Sequence, residues 1–531
     1  MKFRLLFLFL SFIIVNAVIA QKGILPNKIY TSLEDAEKAP ENVTMLDVQG
    51  QAITELNPEI TYDNLVSADL STNEMTAFPE QLFSSPKLKT LNLGNNKLEF
   101  LPKNIDHLLL LERLSMENNQ IATLPDELGK LKKLQQLSVF QNQLSELPET
   151  FDQLISLKQL DVGRNTLKTF PKNFEKLNLI EELNLTENEF DSIPKSIGAL
   201  QNLKIIVADK NQIVFIPDEI GTLKQLTSLY IGSNKLSSIP VGLCGAINLQ
   251  ELNLSSNRLT KLPVEIKNLT NLTLLTLSKN QLTPFPIELC NLIALKHLEM
   301  NFNKILTLPT QIGKLVALEY IQLDDNLLTT LPKEFTLLKA LKYVYVSNNK
   351  LTEFPIALTY LTELKQLYLE QNQIRYLPVE IKYMQHLQLL HLNKNKIEFI
   401  PREIAALTSL RTLSISNNLL TIFPRELAAL QGLKMLDVES NKIIEFPLIV
   451  TKLAGLRILN LNHNQITKIP QDIAQLQNLE ELYIGWNTIT SLPKEIGLLK
   501  NLKILWLEGN SISEEEQNAI KALLPDVQIK F

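Results

Sequence analysis

The chain has 531 residues, a formal net charge of −5 and a hydrophobic fraction of 45%. This length is typical of roughly three or four ordinary domains. The lack of a basic excess argues against a nucleic-acid-binding surface, and two cysteines are too few for a disulfide-held scaffold.

The N-terminus differs from the rest of the chain. Residues 1–20 combine two basic residues, a mostly apolar run and the small residues Val18 and Ala20 at the end, a pattern that predicts a secretory signal peptide. An uncleaved membrane anchor is the alternative, and polar Ser11 and Asn16 disfavour it because they interrupt the run. No later stretch approaches the ~18 unbroken apolar residues of a membrane span. We therefore expect an exported protein, either secreted, periplasmic or at the cell surface, with no stable membrane insertion after signal cleavage.

The next segment, residues 21–64, is expected to be an N-terminal lead-in. A short amphipathic helix is predicted near Leu33–Lys38. The stretch VTMLDVQGQ, which begins at Val43, then imitates a strand with its alternating apolar residues. Together these two elements predict a lead-in helix and a capping strand.

A period of 23 residues governs residues 65–510. One asparagine recurs at this spacing without a slip, and a second column holds nineteen of the 25 prolines, from Pro79 to Pro493. Repeats of this length indicate a solenoid. The twenty asparagines are Asn73, Asn96, Asn119, Asn142, Asn165, Asn188, Asn211, Asn234, Asn257, Asn280, Asn303, Asn326, Asn349, Asn372, Asn395, Asn418, Asn441, Asn464, Asn487 and Asn510.

Each repeat follows the pattern L-x-x-L-x-L-x-x-N-x-L-x-x-L-P-x-x-I-x-x-L. The alternation before the asparagine predicts a short strand, and the spacings of three and four after the proline predict a helical turn. Over residues 43 to 510 the pattern resembles the leucine-rich repeat family in its 23-residue form, and secreted bacterial members in particular. The expected fold is an α/β solenoid, a curved horseshoe with a parallel inner sheet and short helical turns on the convex side.

The asparagine column is interpreted as structural. Each asparagine falls where the chain leaves a strand and turns inside the stack, and backbone groups there need hydrogen-bond partners other than water. An amide side chain offers both donors and an acceptor. A column of them is therefore expected to satisfy successive turns.

The last segment, residues 511–531, is predicted to be a C-terminal cap. The column proline is missing after Asn510, and Ser513 with Glu516 forms a capping-box pattern that opens a helix. Pro525 ends that helix, and the sequence VQIKF predicts a last edge strand. We therefore expect a closed array, without room for a separate catalytic domain.

Cys244 and Cys290 share one phase of the repeat and lie two repeats apart. Two strand spacings place their Cα atoms ~10 Å from each other, beyond the ~7 Å that a disulfide tolerates. We expect two free thiols beside the core.

Motifs of catalysis and of metal or cofactor binding are absent from the sequence. It contains no G-x-G-x-x-G, P-loop, H-E-x-x-H or C-x-x-C pattern. None of its five histidines makes a spaced pair with a second ligand. We expect no enzyme, no metal site and no cofactor.

The large side chains on the predicted wet face of the inner sheet are gathered in two places. The stretch "LKYVYVSNNK", from Leu341 to Lys350, is one example. Burial of its two valines leaves two tyrosines on the opposite face of the strand. Exposed aromatic residues are typical anchors of protein interfaces, although cross-strand ladder stabilisation is the alternative. The predicted partner-binding residues are His297, Phe302, Tyr320, Tyr343, Tyr345, Tyr368 and His391, and near the C-terminus Tyr483, Trp486 and Trp506.

These observations favour a secreted, non-enzymatic scaffold that binds a protein partner, such as a host or cell-surface component, on its concave face. A second hypothesis is a structural, envelope or adhesion component that binds glycan through the rings or self-associates. A third is an enzyme that uses repeats as its substrate reader, which would need an additional domain. A fourth is an intracellular signalling scaffold, which the signal-like N-terminus opposes.

Overall fold

The computed structural model describes residues 28–531, so the predicted signal peptide lies outside the described residues. The chain divides into two compact units. The first comprises the described part of Met1–Ile213 together with Thr222–Leu226, and the second comprises Val214–Gly221 and Thr227–Phe531. Each unit is described by itself below.

The first unit is a stack of coils, most of which have one short strand and a 3₁₀ helix. Its strands pair in parallel in chain order. They are β1 Ile29–Tyr30, β2 Met45–Asp47, β3 Ser67–Asp69, β4 Thr90–Asn92, β5 Arg113–Ser115, β6 Gln136–Ser138, β7 Gln159–Asp161, β8 Glu182–Asn184 and β9 Ile205–Val207. The helices are α1 Leu33–Glu37 and the 3₁₀ helices Pro40–Asn42, Glu80–Ser84, Lys103–His107, Asp126–Lys130, Glu149–Gln153, Phe174–Lys176 and Lys195–Ala199.

The second unit repeats the same coil. Its strands, also parallel and in chain order, are β10 Ser228–Tyr230, β11 Glu251–Asn253, β12 Leu274–Thr276, β13 His297–Glu299, β14 Tyr320–Gln322, β15 Tyr343–Tyr345, β16 Gln366–Tyr368, β17 Leu389–His391, β18 Thr412–Ser414, β19 Met435–Asp437, β20 Ile458–Asn460, β21 Glu481–Tyr483, β22 Ile504–Trp506 and β23 Gln528–Lys530. The 3₁₀ helices are Val241–Gly245, Val264–Asn268, Ile287–Asn291, Thr310–Lys314, Lys333–Leu337, Ile356–Tyr360, Val379–Tyr383, Arg402–Ala406, Arg425–Ala429, Leu448–Lys452, Gln471–Gln475 and Lys494–Leu498, followed by α2 Glu514–Leu523. One further 3₁₀ helix, Asp218–Thr222, contains residues of both units.

Repeat register sets the pairing of the strands and the composition of the core. Val344 of β15 pairs with Leu367 of β16, its equivalent 23 residues later. Val344 and Val346 are both 0% exposed, and so is Phe335 on the helical side of the same coil. Burial of such side chains stabilises each coil by roughly 1.5–3 kcal/mol per residue. The predicted α/β solenoid, with a parallel sheet and short helical turns, is confirmed.

The asparagine column lies inside the stack, as predicted. Eighteen of the twenty asparagines are buried. The Asn349 Nδ2 group donates to the carbonyl oxygens of Leu323, Val346 and Ser347 at 3.0–3.2 Å. Its Oδ1 accepts from the backbone N–H of Leu328 in the preceding coil, at 3.0 Å. One amide therefore joins the turn of its own coil to the turn of the coil before it.

A helix is present near each end of the described chain, as the sequence predicts. In α1, the Ser32 hydroxyl accepts from the Asp35 N–H, and in α2 the Ser513 hydroxyl accepts from the Glu516 N–H. The Glu516 carboxylate accepts a hydrogen bond from the backbone N–H of Leu492, at 3.0 Å. This contact ties α2 to the preceding coil. The division into lead-in, array and cap remains a prediction.

The two cysteines are free and buried, as predicted. Burial, with a smaller contribution from Glu265, raises the pKa of the Cys244 thiol to about 11. Burial also raises the pKa of the Cys290 thiol to about 11. Since the thiolate is the reactive form, both groups should be inert in the folded protein.

We expect an aromatic disulfide reagent at pH 8 to label neither cysteine in the native protein and to label both in denaturant. Absorbance of the released thiol gives the number of reactive groups in each condition. A Ser513→Cys variant, which places a thiol at the start of α2, is the positive control for reagent access. Rapid labelling of Cys244 or Cys290 without denaturant would contradict the buried placement.

Among residues 28–531, no helix is both long enough and apolar enough to cross a membrane.

Candidate functional site

The six predicted residues at the centre of the second unit lie side by side on the exposed face of the sheet. We call His297, Tyr320, Tyr343, Tyr345, Tyr368 and His391 the aromatic row. Its ring centroids are separated by 4.0 Å from His297 to Tyr320, 5.1 Å from Tyr320 to Tyr345, 4.5 Å from Tyr345 to Tyr368 and 4.9 Å from Tyr368 to His391. Tyr343 lies 6.3 Å from Tyr320. The rings form one continuous surface across β13 to β17.

The strand geometry explains why these side chains share one face. Alternate side chains of a strand point to opposite faces, so Tyr343 and Tyr345 point away from the core that receives Val344. Parallel pairing in register then aligns Tyr320 with Tyr343, and Tyr345 with Tyr368. The rings are half-buried because each covers its neighbour. Stacked and tilted pairs of this kind add roughly 0.5–1.5 kcal/mol each beyond the area they bury.

Carboxylate and amide groups hold the two ends of the row. His297 Nε2 lies 2.7 Å from Glu299 Oε1, and His391 Nδ1 lies 2.9 Å from Glu370 Oε1. The Tyr320 hydroxyl donates to Gln322 at 3.1 Å. These contacts fix the orientation of the rings toward both ends of the row.

Burial favours the neutral form of three phenols of the row, Tyr320, Tyr345 and Tyr368. Burial, followed by the neighbouring Tyr368, raises the pKa of Tyr345 to about 12. Burial likewise raises the pKa of Tyr320 and of Tyr368. Beside the row, burial raises the pKa of Asp324 to about 6, although hydrogen bonds from Gln322 and from the Ser347 N–H oppose the rise.

The pKa of Glu370 shifts in the opposite direction to the pKa of Asp324. Burial favours its neutral form, but hydrogen bonds from His391 and Ser347 favour its charged form and leave the pKa of this carboxyl below its usual value. The row is therefore flanked by an ionised carboxylate at one end.

Phe302 does not join the row. It occupies the position just before Asn303, where the backbone has a φ of +54°, and its side chain is exposed beside Lys279, whose Nζ lies 5.6 Å from the ring centroid. In every repeat this position is left-handed, and Trp486 has a φ of +53° there. The sequence pattern did not reveal this conformation, since only the last repeat has a glycine there, Gly509, and the other repeats have ordinary side chains.

The three C-terminal residues form two pairs rather than one patch. The Tyr483 and Trp506 centroids lie 6.3 Å apart, and Lys530 Nζ of β23 lies 3.9 Å from the Trp506 ring. Trp486 is exposed and stacks on His463 at 5.4 Å. Trp506 is thus partly covered by the last strand, which favours a capping role for it.

Glycines make room for these two indoles. A Cβ atom at Gly485 would lie 2.7 Å from the Trp506 ring, and one at Gly509 would lie 2.6 Å from the Trp486 ring. The sequence reasoning missed Gly485, Gly509, His463 and Lys530 as neighbours of the indoles. His463 and Gly509 share the repeat position of Trp486, and this was the signal available in the sequence.

The exposed face of the sheet in the second unit is acidic. The outward strand positions of β10 to β22 contain no Lys or Arg, and they include Glu251, Glu299, Asp437 and Glu481. Within the described residues, no group of three or more His, Cys, Asp or Glu side chains could hold a metal ion. The surface is therefore aromatic and anionic.

The family comparisons agree with the repeat pattern. The family described as "Leucine-rich repeat region" matches residues 67–189. The family described as "Leucine rich repeat" matches residues 201–259, 247–305, 316–374, 384–443 and 454–512. A search of the curated proteins finds no match.

Several solved structures resemble the chain over most of its length. A leucine-rich repeat protein of Leptospira interrogans is 30% identical, with 95% of this chain and 100% of that chain covered and a TM-score of 0.62. The Arabidopsis receptor kinase HAESA, solved with the peptide hormone IDA and the co-receptor SERK1, is 27% identical, with 92% and 87% covered and a TM-score of 0.67. An internalin of Listeria monocytogenes is 28% identical, with 58% and 87% covered and a TM-score of 0.53.

Such repeat solenoids are typical protein–protein interaction scaffolds and are generally non-enzymatic, since stacked coils present an extended binding surface. The repeat period, the buried asparagine column, the parallel strands and the structural matches together show that this chain belongs to the leucine-rich repeat family.

Proposed function

We propose that this protein is a secreted, non-enzymatic scaffold that binds a protein partner on the exposed face of its sheet, with the aromatic row as the central contact. The continuous row of rings across β13 to β17 carries this proposal. Export is proposed from the signal-like residues 1–20.

The row has the properties of an interface centre. Tyrosine supplies a large apolar area together with a polar hydroxyl, and interface hot spots are enriched in it. The rings of the row are already ordered by their contacts with one another and by Glu299 and Glu370. Binding of a partner therefore costs these rings little side-chain entropy.

The relatives support a peptide or protein partner over other classes. The receptor kinase HAESA is solved with a peptide hormone and a co-receptor, so a fold of this family accommodates a peptide. The alternative of glycan binding rests on the same rings, because sugars stack on aromatic faces. It is an outcome of the test below.

The test uses the mature chain to select binders from a displayed library of extracellular protein fragments and, in parallel, from a glycan array. The variant Tyr345→Ala/Tyr368→Ala removes the centre of the row. Its matched control is Tyr360→Ala/Tyr383→Ala, a tyrosine pair at 5.4 Å in the 3₁₀ helices of the same two coils.

We expect the row variant to bind a selected fragment about 10–100-fold more weakly, since hot-spot truncations cost roughly 2 kcal/mol or more, and the control to bind it as the wild type does. Surface plasmon resonance measures the dissociation constants. Equal affinity in all three proteins would exclude the row as the contact site. Selection of glycans alone would show that the ligand is a sugar and not a protein.

A further inference from the structure

The sheet face of the first unit carries a groove that the proposed function does not use. Its volume is about 490 Å³, and its lining runs along the exposed face of the strands from β1 to β9. Apolar residues, among them Ile29 and Val207, lie at its two ends, and mainly polar residues line the middle together with Leu137 and Leu160. A groove of this size accommodates several residues of an extended chain.

The charged residues of the lining are all acidic. Five carboxylates line the groove, and Lys, Arg and His are absent from the lining. Arg113, on the same face of β5, lies outside the lining. The carboxylates are Asp47, Asp69, Glu117, Asp161 and Glu182, and none of them forms an ion pair within residues 28–531.

The acidic side chains repel one another. Burial and then Asp69 raise the pKa of Glu117. Burial raises the pKa of Asp161 to about 6, with Glu117 adding to the rise and hydrogen bonds from Gly163 and Asn184 opposing it. Neutral donors alone oppose the rise at Asp161, and Lys204, which lies outside the lining, acts on Glu182 only through its charge. A positive ligand would relieve this repulsion.

Ser138 provides an independent sign of a missing partner. It lies in the lining between the strands of Ser115 and Asp161 and is only 7% exposed. Its hydroxyl is buried without a hydrogen-bond partner. A buried polar group without a partner costs free energy, and an N–H donor of a ligand would supply the bond.

The chemistry of the groove suits an organic cation better than a metal ion. No group of three or more potential ligand side chains in the described part of the chain could hold a metal ion. Lysine and arginine side chains instead carry several N–H donors at the end of a long stem. Each such side chain can pair with a single carboxylate, so the carboxylates need not converge on one point.

We propose that the groove of the first unit binds a basic, extended polypeptide segment whose lysine or arginine side chains pair with Asp69, Glu117 and Asp161. Asp69 ends β3, Glu117 follows β5 and Asp161 ends β7, so neighbouring members are two strands apart. Two strand spacings span roughly 10 Å. An extended chain covers that distance in about three residues, so a basic residue at every third position fits the groove.

The experiment measures fluorescence anisotropy with a labelled nine-residue probe that carries lysine at every third position and glycine or serine elsewhere. The comparison probe carries acetyl-lysine at the same positions, which removes the charge alone. The groove variant is Asp69→Asn/Glu117→Gln/Asp161→Asn. The charge-matched control is Glu99→Gln/Glu146→Gln/Glu175→Gln, which changes three exposed carboxylates of the same unit.

We expect the lysine probe to bind the wild type and the control equally, to bind the groove variant at least tenfold more weakly, and to weaken as salt rises. The acetyl-lysine probe should bind none of them. The Tyr345→Ala/Tyr368→Ala variant should bind the lysine probe normally, which separates this groove from the aromatic row.

Three results would overturn the proposal. One is equal binding of the lysine probe to the groove variant and the wild type. Another is an equal loss in the control, which would show attraction to net charge only. The third is displacement of the probe by stoichiometric Ca²⁺, which would assign the groove to a metal. Circular dichroism spectra and unfolding midpoints of the variants verify that they fold.

Discussion

Replacement of Asn349 by alanine is expected to destabilise the second unit by about 1–3 kcal/mol, because it leaves buried backbone groups without partners. The side chain makes four hydrogen bonds, one from the Leu328 N–H and three to carbonyl oxygens. The carbonyl oxygen of Leu323 retains a bond from Asn326, and that of Val346 retains one from Asn372. The Leu328 N–H loses its side-chain acceptor, so most of the loss arises there.

Urea denaturation followed by circular dichroism measures the free energy of unfolding. Hydrogen exchange locates the effect, since the Leu328 amide should exchange faster while amides several coils away keep their protection. Lys350→Ala, an exposed substitution next to Asn349, is the control and should leave both measurements unchanged. Unaltered protection of the Leu328 amide in the Asn349→Ala protein would refute the structural role of the column.

Asp161→Asn is expected to stabilise the protein near neutral pH. The pKa of Asp161 is raised from 3.8 to about 6, chiefly by burial. A carboxyl with a raised pKa in the folded state contributes stability that is fully present below its unfolded pKa and is lost as the pH rises through 6. A shift of this size corresponds to about 3 kcal/mol at most, which solvent screening of a half-buried group reduces to about 1–2 kcal/mol.

The asparagine side chain should also suit the local hydrogen bonds. Its Oδ1 atom can keep the bonds from Gly163 and Asn184, which both reach one oxygen of Asp161. In the same column, Asn184 Nδ2 donates to the equivalent residue of the coil before it, which is Asp161. The new Nδ2 group would point in the same way toward Ser138, whose hydroxyl has no partner.

Thermal unfolding from pH 4 to pH 8 tests this expectation. The variant should unfold at a higher temperature than the wild type at pH 7.5, and the two should converge near pH 4. Part of the pH dependence should remain in the variant, because Asp324 also has a pKa of about 6. Glu175→Gln, which changes an exposed carboxylate, should follow the wild type at every pH. A variant less stable than the wild type at pH 7.5 would show that the carboxylate stabilises the fold.

The sequence predicted much of the local structure because each coil repeats one set of positions. Val344 and Val346 in the core, Tyr343 and Tyr345 on the opposite face and Asn349 in the turn all follow from strand alternation and the 23-residue period. The capping residue Ser513 could also be identified, since helix starts have a local signature.

The sequence could not show how neighbouring side chains orient relative to one another. Phe302 lies one repeat position beyond the strand, and a left-handed backbone there directs it to Lys279 and away from the aromatic row. The groove also escaped the sequence reading. Its carboxylates stand at three different positions of the repeat, and their exposure to one another depends on the packing of successive coils.

By itself, the sequence determined the period, the inward and outward faces of each strand and the burial of the asparagine column, because these depend on contacts within one coil and its copy 23 residues away. Only the tertiary structure decided which rings touch, that Lys530 covers Trp506 and that Ser138 lacks a partner. These features depend on side-chain rotamers and on contacts across several coils, and a one-dimensional pattern does not specify either.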